Sequence, residues 1–153
     1  ETSGSLTESL SVMGADLIIE TIEQLPELNS KTQDHTKANY AKKILKNEAR
    51  IDWNQSAENI NQMIRAFNPR PIAQSNAEAM EFKDKVLRII EAEVIPSQTS
   101  KPPGTIIEQN KEVCHIATGA GILSLKRVQL AGKKVAQIKD FNNAYQLLKL
   151  SNS

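Results

Sequence analysis

Apolar residues recur with helical spacing near the start of the chain. They stand at intervals of four, three and four residues: Leu6, Leu10, Met13 and Leu17. This spacing predicts a helix over residues 5–25, with Ser5 and Glu8 at the separation of an N-terminal capping box. Gly14 lies inside the run, so one helix or two short helices both fit the pattern. The apolar face of this segment requires a partner surface.

A second helical pattern follows the only tryptophan, Trp53. Its apolar positions are separated by three, four and three residues: Ala57, Ile60, Ile64 and Phe67. Ser56 is a suitable N-cap, and Pro69 ends the helix because proline excludes the preceding residue from the helical region. We call residues 49–71 the joint, since the pattern before them is helical or polar and the pattern after them is that of strands. Trp53 is expected to pack in this joint and not to serve as a stacking platform.

From residue 78 onward the pattern is that of short strands. Strands are predicted around Met80 and Phe82 and over residues 86–95, 105–107, 113–118 and 122–130, the last two joined by a Gly-Ala-Gly turn. Residues 73–77 are predicted to be a loop and residues 83–85 a polar turn. The spacing of the strands indicates a small barrel or sandwich.

A short helix is predicted at the end of the chain. Asp140 is its expected cap, and one face would carry Phe141, Ala144, Tyr145 and Leu148. Residues 26–48 are polar and are predicted to form a partly extended linker with little core of its own.

Charge is distributed unevenly along the 153 residues, although the net charge is only +1. Residues 1–35 contain one lysine and seven acids, a net charge of −6. Residues 36–71 have a net charge of +4, and residues 72–153 have a net charge of +3. This segregation fits contact between the last two thirds of the chain and a polyanion, and it fits an ordinary solvated surface equally well. No run of apolar residues is long enough to span a bilayer, and one cysteine excludes an internal disulfide.

Several short motifs resemble the methionyl-tRNA formyltransferase family. They are EARIDW (Glu48 to Trp53), IRAFNP-x-P (Ile64 to Pro71), PGTI (Pro103 to Ile106), ATGAGIL (Ala117 to Leu123) and QLAGKK (Gln129 to Lys134). They follow the order and spacing of the family's joint and C-terminal domain, and residues 2–22 resemble the last helical part of its catalytic domain. Arg70 departs from the pattern, since the family usually carries an aromatic residue between the two prolines.

The resemblance implies a mostly β fold with flanking helices, in which an oligonucleotide-binding-type barrel is preceded by linker helices. It implies three parts: a helical tail of an absent catalytic domain (1–35), a basic linker with the joint helix (36–71), and a tRNA-binding barrel (72–153). The chain is therefore expected to begin inside a longer enzyme that formylates methionyl-initiator tRNA with 10-formyltetrahydrofolate. The family's Asn, His and Asp constellation and its Ser-Leu-Leu-Pro loop do not occur here, so no catalytic residue is assigned and no cofactor is expected in this chain.

The residues that could carry other chemistry are few. His35 and His115 lack cysteine or carboxylate neighbours at metal-ligand spacing, so no metal site is predicted. Cys114 is expected to be buried in a strand and not to act as a nucleophile. Gly119 and Gly121 are expected to form a hairpin turn, because no Lys-Ser/Thr pair follows them as in a phosphate loop.

Basic residues are the best candidates for a binding surface. The predicted RNA-contacting set is Lys42, Lys43, Lys46, Arg50, Arg65, Lys126, Arg127, Lys133 and Lys134. Such cations contact phosphates and contribute affinity with little sequence information. The expected partners are initiator tRNA and the absent catalytic domain, with no membrane and no metal.

Two alternatives remain open. A related formyltransferase or formyl-tetrahydrofolate hydrolase would share the barrel without binding RNA, and a stand-alone barrel would be an interaction module. The basic joint favours tRNA over the first, and the unpartnered early helix argues against the second. The expected compartment is the bacterial cytoplasm or an organellar matrix.

Overall fold

The computed structural model describes residues 1–151. Its helices are α1 (Ser3–Gln24), α2 (Ala57–Ala66) and α3 (Ile138–Ala144), with shorter 3-10 turns at Leu25–Glu27, His35–Lys37 and Lys46–Ala49. Its strands are β1 (Gln74–Ala79), β2 (Phe82–Ile95), β3 (Ile106–Gln109), β4 (Cys114–Ala117), β5 (Ile122–Leu130), β6 (Ala136–Gln137) and β7 (Leu147–Ser151).

The strands form one antiparallel sheet that curls into a nearly closed barrel. Its order is β3-β4-β5-β2-β1-β7, and β6 pairs with β5. The two ends of this order meet where the amide of Leu150 donates to the carbonyl of Gly104 at 3.1 Å and Thr105 bridges Lys149. The predicted fold class, a small β-barrel preceded by helices, is confirmed.

The joint packs into the barrel and completes its core. Trp53 is 1% exposed, and its indole Nε1 donates to the hydroxyl of Ser75 on β1 at 3.0 Å. The Ser75 hydroxyl in turn lies 2.9 Å from the carbonyl oxygen of Ser151 on β7. Ile60 and Ile64 of α2 belong to the same buried cluster. The prediction that Trp53 is a packing residue is confirmed.

Backbone hydrogen bonds hold the joint on two sides. The amide of Ile51 donates to Gln74 at 2.8 Å, and the carbonyl of Trp53 accepts from the amide of Gly119 at 2.9 Å. A Cβ atom at Gly119 would lie 1.8 Å from the carbonyl oxygen of Asn54, so a side chain has no room there. The glycine turn between β4 and β5 therefore both joins two strands and permits the close approach of the joint.

Helix α1 lies almost wholly outside this core. It begins at Ser3 with Thr2 as N-cap, not at the predicted Ser5 box, and it continues through Gly14 as one helix. It has no buried residue. Its start is fixed by the amide of Gly4, which donates to the carbonyl of Asn68 at 3.0 Å. The polar linker that follows is mostly extended and exposed, as predicted.

Two predictions around β1 and β2 are wrong. The predicted loop at 73–77 is instead the start of β1, in which Ser75 and Ala77 are buried on alternate positions. The predicted turn at 83–85 lies within β2, and the actual turn is at Met80, which is 74% exposed. Small residues give a weak strand signal, and the pairing of β1 with both β2 and β7 stabilises them in the sheet.

The predicted final helix overlaps α3 but differs at both ends: α3 begins at Ile138 with Gln137 as N-cap, and Asp140, the expected cap, lies in the first turn. The helix ends at Ala144, and Leu148 lies in β7, where the neighbouring Leu147 and Leu150 are buried. Pairing with β1 overrides the helical spacing of the apolar residues here. The predicted division of the chain at residues 35 and 71 is not tested by these contacts and stays a prediction.

We expect Trp53→Ala to lower the free energy of unfolding by about 3–5 kcal/mol, because it leaves a large cavity and removes the hydrogen bond from the indole to the Ser75 hydroxyl. Tyr40→Ala is the matched control, since Tyr40 is 88% exposed and its loss should change stability by less than about 0.5 kcal/mol. Urea unfolding measures both. Equal effects of the two substitutions would contradict the packing role of Trp53.

We expect a chain that begins at residue 36 to retain one cooperative thermal transition, because α1 contributes no buried side chain. A chain that begins at residue 72 should lose the transition, since it lacks Trp53, Ile60 and Ile64 of the core. Calorimetry compares the two deletions. Loss of cooperativity in the first would show that the first 35 residues are needed by the barrel.

Candidate nucleic-acid interface

The segment that leads into the joint presents unpaired lysines to solvent. Lys42 and Lys43 lie on extended, exposed backbone. Lys46 is also exposed, on the 3-10 turn that ends at the buried Ala49. Among residues 1–151, none of the three forms an ion pair with a carboxylate. We call residues 42–50 the basic segment.

The basic segment borders a cleft of about 490 Å³ on the outside of the barrel. Its cations are Lys46, Arg70 from the loop after α2, and Arg88 from β2. The remaining lining residues are Ile44, Ala49, Pro71 and Gln74. We call this the Arg88 cleft. Among residues 1–151 no carboxylate lines it, so its three cations come from separate parts of the chain without a counter-charge among the described lining residues.

Arg88 points outward because side chains alternate between the two faces of β2. Its neighbours Leu87 and Ile89 are fully buried, so the side chain between them lies on the opposite face of β2. Gln74 and Gln129 are its partners on the two adjacent strands. The guanidinium Nη1 donates to the Gln129 side-chain oxygen at 3.2 Å, and that amide donates to the carbonyl of Lys133 at 2.9 Å.

Gln74, Arg88 and Gln129 form a row across three strands, and Arg50 and the lysine pair of the β5–β6 turn lie next to this row. Arg50 bridges Gln74 in a parallel sense, which places it one strand away from Arg88. Lys133 is connected to Arg88 through Gln129, and Lys133 and Lys134 are both exposed. The fold therefore brings the basic segment and the β5–β6 turn to the same side of the barrel, as two borders of one row of polar residues.

Two other predicted cations are already paired across the strands. Lys126 lies 2.8 Å from a carboxylate oxygen of Glu93, and Arg127 lies 3.9 Å from one of Glu91. Both pairs are partly exposed to water, so each contributes little to stability. A phosphate at either position would have to compete with the carboxylate, which makes these two residues weaker candidates than the unpaired cations.

Arg65 belongs to a different surface. It lines a second cleft of about 430 Å³ together with Arg127, and Glu1 and Glu91 line the same cleft. The acids offset the charge of the two arginines there. The predicted set of basic residues is thus divided between an unpaired group beside the Arg88 cleft and a group mixed with carboxylates.

Arg70 and Arg88 are absent from the sequence-based set of site residues. The signal for Arg88 was available in the alternation of Leu87, Arg88 and Ile89, which places the arginine on the outer face of a strand. For Arg70 the only signal was its position between two prolines. Neither pattern shows that the two side chains meet Lys46, because that depends on how the joint folds back over β2.

The remaining candidate residues are Cys114 and the two histidines. Cys114 is buried, as predicted. His115 lies in β4 with its Nδ1 atom 3.3 Å from a carboxylate oxygen of Glu108, and His35 is exposed. Over residues 1–151 there is no group of three metal-binding side chains. None of the helices in this range has the length and apolar character needed to cross a bilayer.

Comparison with known proteins gives consistent matches. The model of the formyl transferase C-terminal domain family matches residues 43–146. Methionyl-tRNA formyltransferases from three strains of Coxiella burnetii are each 40% identical over 147 residues, covering 95% of this chain and 45% of the relative. The chain thus spans less than half the length of these relatives.

A solved structure shares the fold at low sequence identity. The crystal structure of a HypX variant from Aquifex aeolicus superposes with a TM-score of 0.61 at 15% identity, covering 86% of this chain and 24% of that chain. This likeness supports the architecture alone.

We expect Cys114 to resist alkylation by iodoacetamide at pH 8, because burial raises the pKa of its thiol from 9.0 to about 12. Its contribution to stability is fully present below about pH 9 and is lost as pH rises through 12, since the unfolded chain releases the proton first. Mass spectrometry follows alkylation, with urea-unfolded protein as the positive control. Rapid modification of the folded chain would contradict the burial of this thiol.

Proposed function

Because the chain belongs to the formyl transferase C-terminal domain family, we propose that it is the tRNA-holding part of a methionyl-tRNA formyltransferase. The identity of 40% to such enzymes over 95% of the chain supports this assignment. The observation that carries the RNA-binding role is the basic segment, whose lysines are exposed and have no carboxylate partner within residues 1–151.

In this proposal the complete enzyme transfers the formyl group of 10-formyltetrahydrofolate to the amine of methionyl-initiator tRNA. The chemistry belongs to a catalytic part that this chain does not supply, since its sequence lacks the Asn, His and Asp constellation and the Ser-Leu-Leu-Pro loop. The chain's own task is to increase the residence time of the tRNA. The corresponding compartment is the bacterial cytoplasm or an organellar matrix.

The catalytic part is also the proposed partner of α1. The apolar side chains of α1 are exposed to an unusual degree, with Met13 at 65%, Leu17 at 61% and Ile22 at 63%. Large apolar side chains exposed in this number on one helix mark an interaction site. The relatives are more than twice as long as the matched segment, which leaves room for a domain that covers this face.

The barrel would hold tRNA through its phosphates. Lysine ammonium groups attract phosphate as point charges, and binding releases counterions that were condensed on the RNA. The chain contains 4% aromatic residues, and Trp53 is buried, so few rings are available to stack on unpaired bases. This arrangement provides affinity with little discrimination between initiator and elongator tRNA.

We expect tRNA binding to weaken on the order of a hundredfold between ~50 and ~200 mM salt, if about four phosphates are contacted. Replacing Lys42, Lys43 and Lys46 together with alanine should reduce both the affinity and the steepness of the salt dependence, equally for every tRNA. Filter binding at a series of salt concentrations gives both quantities. Replacing Lys133 and Lys134 with alanine repeats the test on the β5–β6 turn.

The matched control replaces three exposed lysines outside the proposed surface, Lys83, Lys101 and Lys111, by alanine. The control has the same change in net charge, so an equal loss of affinity would indicate general charge attraction and not a defined surface. Absence of binding at tens of micromolar protein would remove the tRNA role and favour a related formyltransferase barrel. A strong preference for initiator tRNA would also contradict the proposal, since it requires base or shape readout.

A further inference from the structure

The Arg88 cleft gathers three cations that are distant in sequence: Lys46, Arg70 and Arg88. We infer that this cleft binds one phosphodiester group of the bound RNA, with the two arginines as its main ligands. The inference rests on the proposed function and adds a defined contact point, made largely by residues that the sequence alone did not single out.

The charge of the cleft calls for an anionic ligand. Like charges that line one cleft repel each other, and within residues 1–151 no lining carboxylate offsets the repulsion. A phosphate supplies the missing counter-charge and several acceptor oxygens. Arginine is the cation best suited to it, because the planar guanidinium can donate two parallel hydrogen bonds to a phosphate.

The shape of the cleft favours a phosphate that is part of a polynucleotide. A volume of about 490 Å³ exceeds the need of a free phosphate ion, and Ile44, Ala49 and Pro71 provide an apolar wall beside the cations. A ribose can pack against such a wall while its phosphate faces the arginines. Gln74 adds a side-chain amide that can donate to a sugar or phosphate oxygen.

Arg88 is held in place before any ligand arrives. Its side chain is partly buried, and one of its five N–H donors is used in the bond to Gln129. The other donors stay available for a ligand. Because the guanidinium is already oriented, less conformational entropy is lost on binding than with a freely moving surface lysine.

The inference is tested by measuring tRNA binding at a series of salt concentrations, with single and double variants of the full chain. Arg70→Gln and Arg88→Gln should each weaken binding roughly tenfold and reduce the slope of log affinity against log salt by about 0.7–0.9, the loss of one phosphate contact. The double variant should reduce the slope by no more than that, because both arginines hold the same phosphate. Lys111→Gln, with the same change in charge, should leave both quantities close to wild type.

Three results would overturn the inference: unchanged binding in both arginine variants, an equal loss in Lys111→Gln, or a double variant whose slope falls by twice the single value. The last would mean that the arginines contact separate phosphates. Thermal unfolding of each variant checks the fold, and Arg88→Lys provides a second substitution that preserves charge and should retain most of the slope but lose part of the affinity.

Titration of the isotopically labelled chain with inorganic phosphate, at constant ionic strength, gives an independent readout. We expect saturable amide shifts at Gln74 and Arg88, absent in the double variant, and absence of such shifts in wild type would overturn the phosphate site whatever the result with tRNA. Shifts together with unchanged tRNA binding in the variants would assign the cleft to free phosphate and overturn the RNA contact. If wild type binds tRNA while the arginine variants are unaffected and no shifts occur, the proposed function stands and this inference fails alone.

Discussion

The insertion of Trp53 into the barrel is the interaction on which the rest of the structure depends. Its indole fills the core, and its N–H reaches the Ser75 hydroxyl, which lies beside the end of β7. One side chain thereby connects the joint to two adjacent strands. Because a buried N–H without a partner is costly, burial and hydrogen bonding must be satisfied together, which fixes the position of the joint.

The position of the joint also determines where the basic segment and the Arg88 cleft lie. Ile51 pairs with Gln74 immediately beyond the point where the basic segment ends, so Arg50 lies beside β1 and Lys46 lines the Arg88 cleft. The loop that follows α2 then brings Arg70 to Arg88. The close approach at Gly119 contributes from the other side, since any side chain there would push the joint away from the barrel. Core packing and the placement of charge are consequences of the same docking.

The parts of the fold that could be predicted from the sequence are those with a strong local signal. The Ser56 cap and the apolar periodicity after it predicted α2, and the β-branched runs predicted the longer part of β2 and all of β5. The small residues of β1 and the short β7 gave no such signal, because their conformation is decided by mutual pairing. Of the candidate site, the excess of positive charge was predictable, whereas the convergence of Arg70 and Arg88 was not, since it depends on tertiary contacts.

Strand register also decides which cations are free to act. Arg127 faces Glu91 across the β2–β5 ladder, whereas Arg88, three residues earlier on β2, faces the neutral Gln129. Two arginines on adjacent strands thus differ in whether a phosphate must displace a carboxylate. A count of lysines and arginines along the chain treats them as equal, but only the pairing shows that one is neutralised and the other is oriented by a neutral amide. The electrostatic field that meets an RNA backbone is therefore set by strand register as much as by net charge.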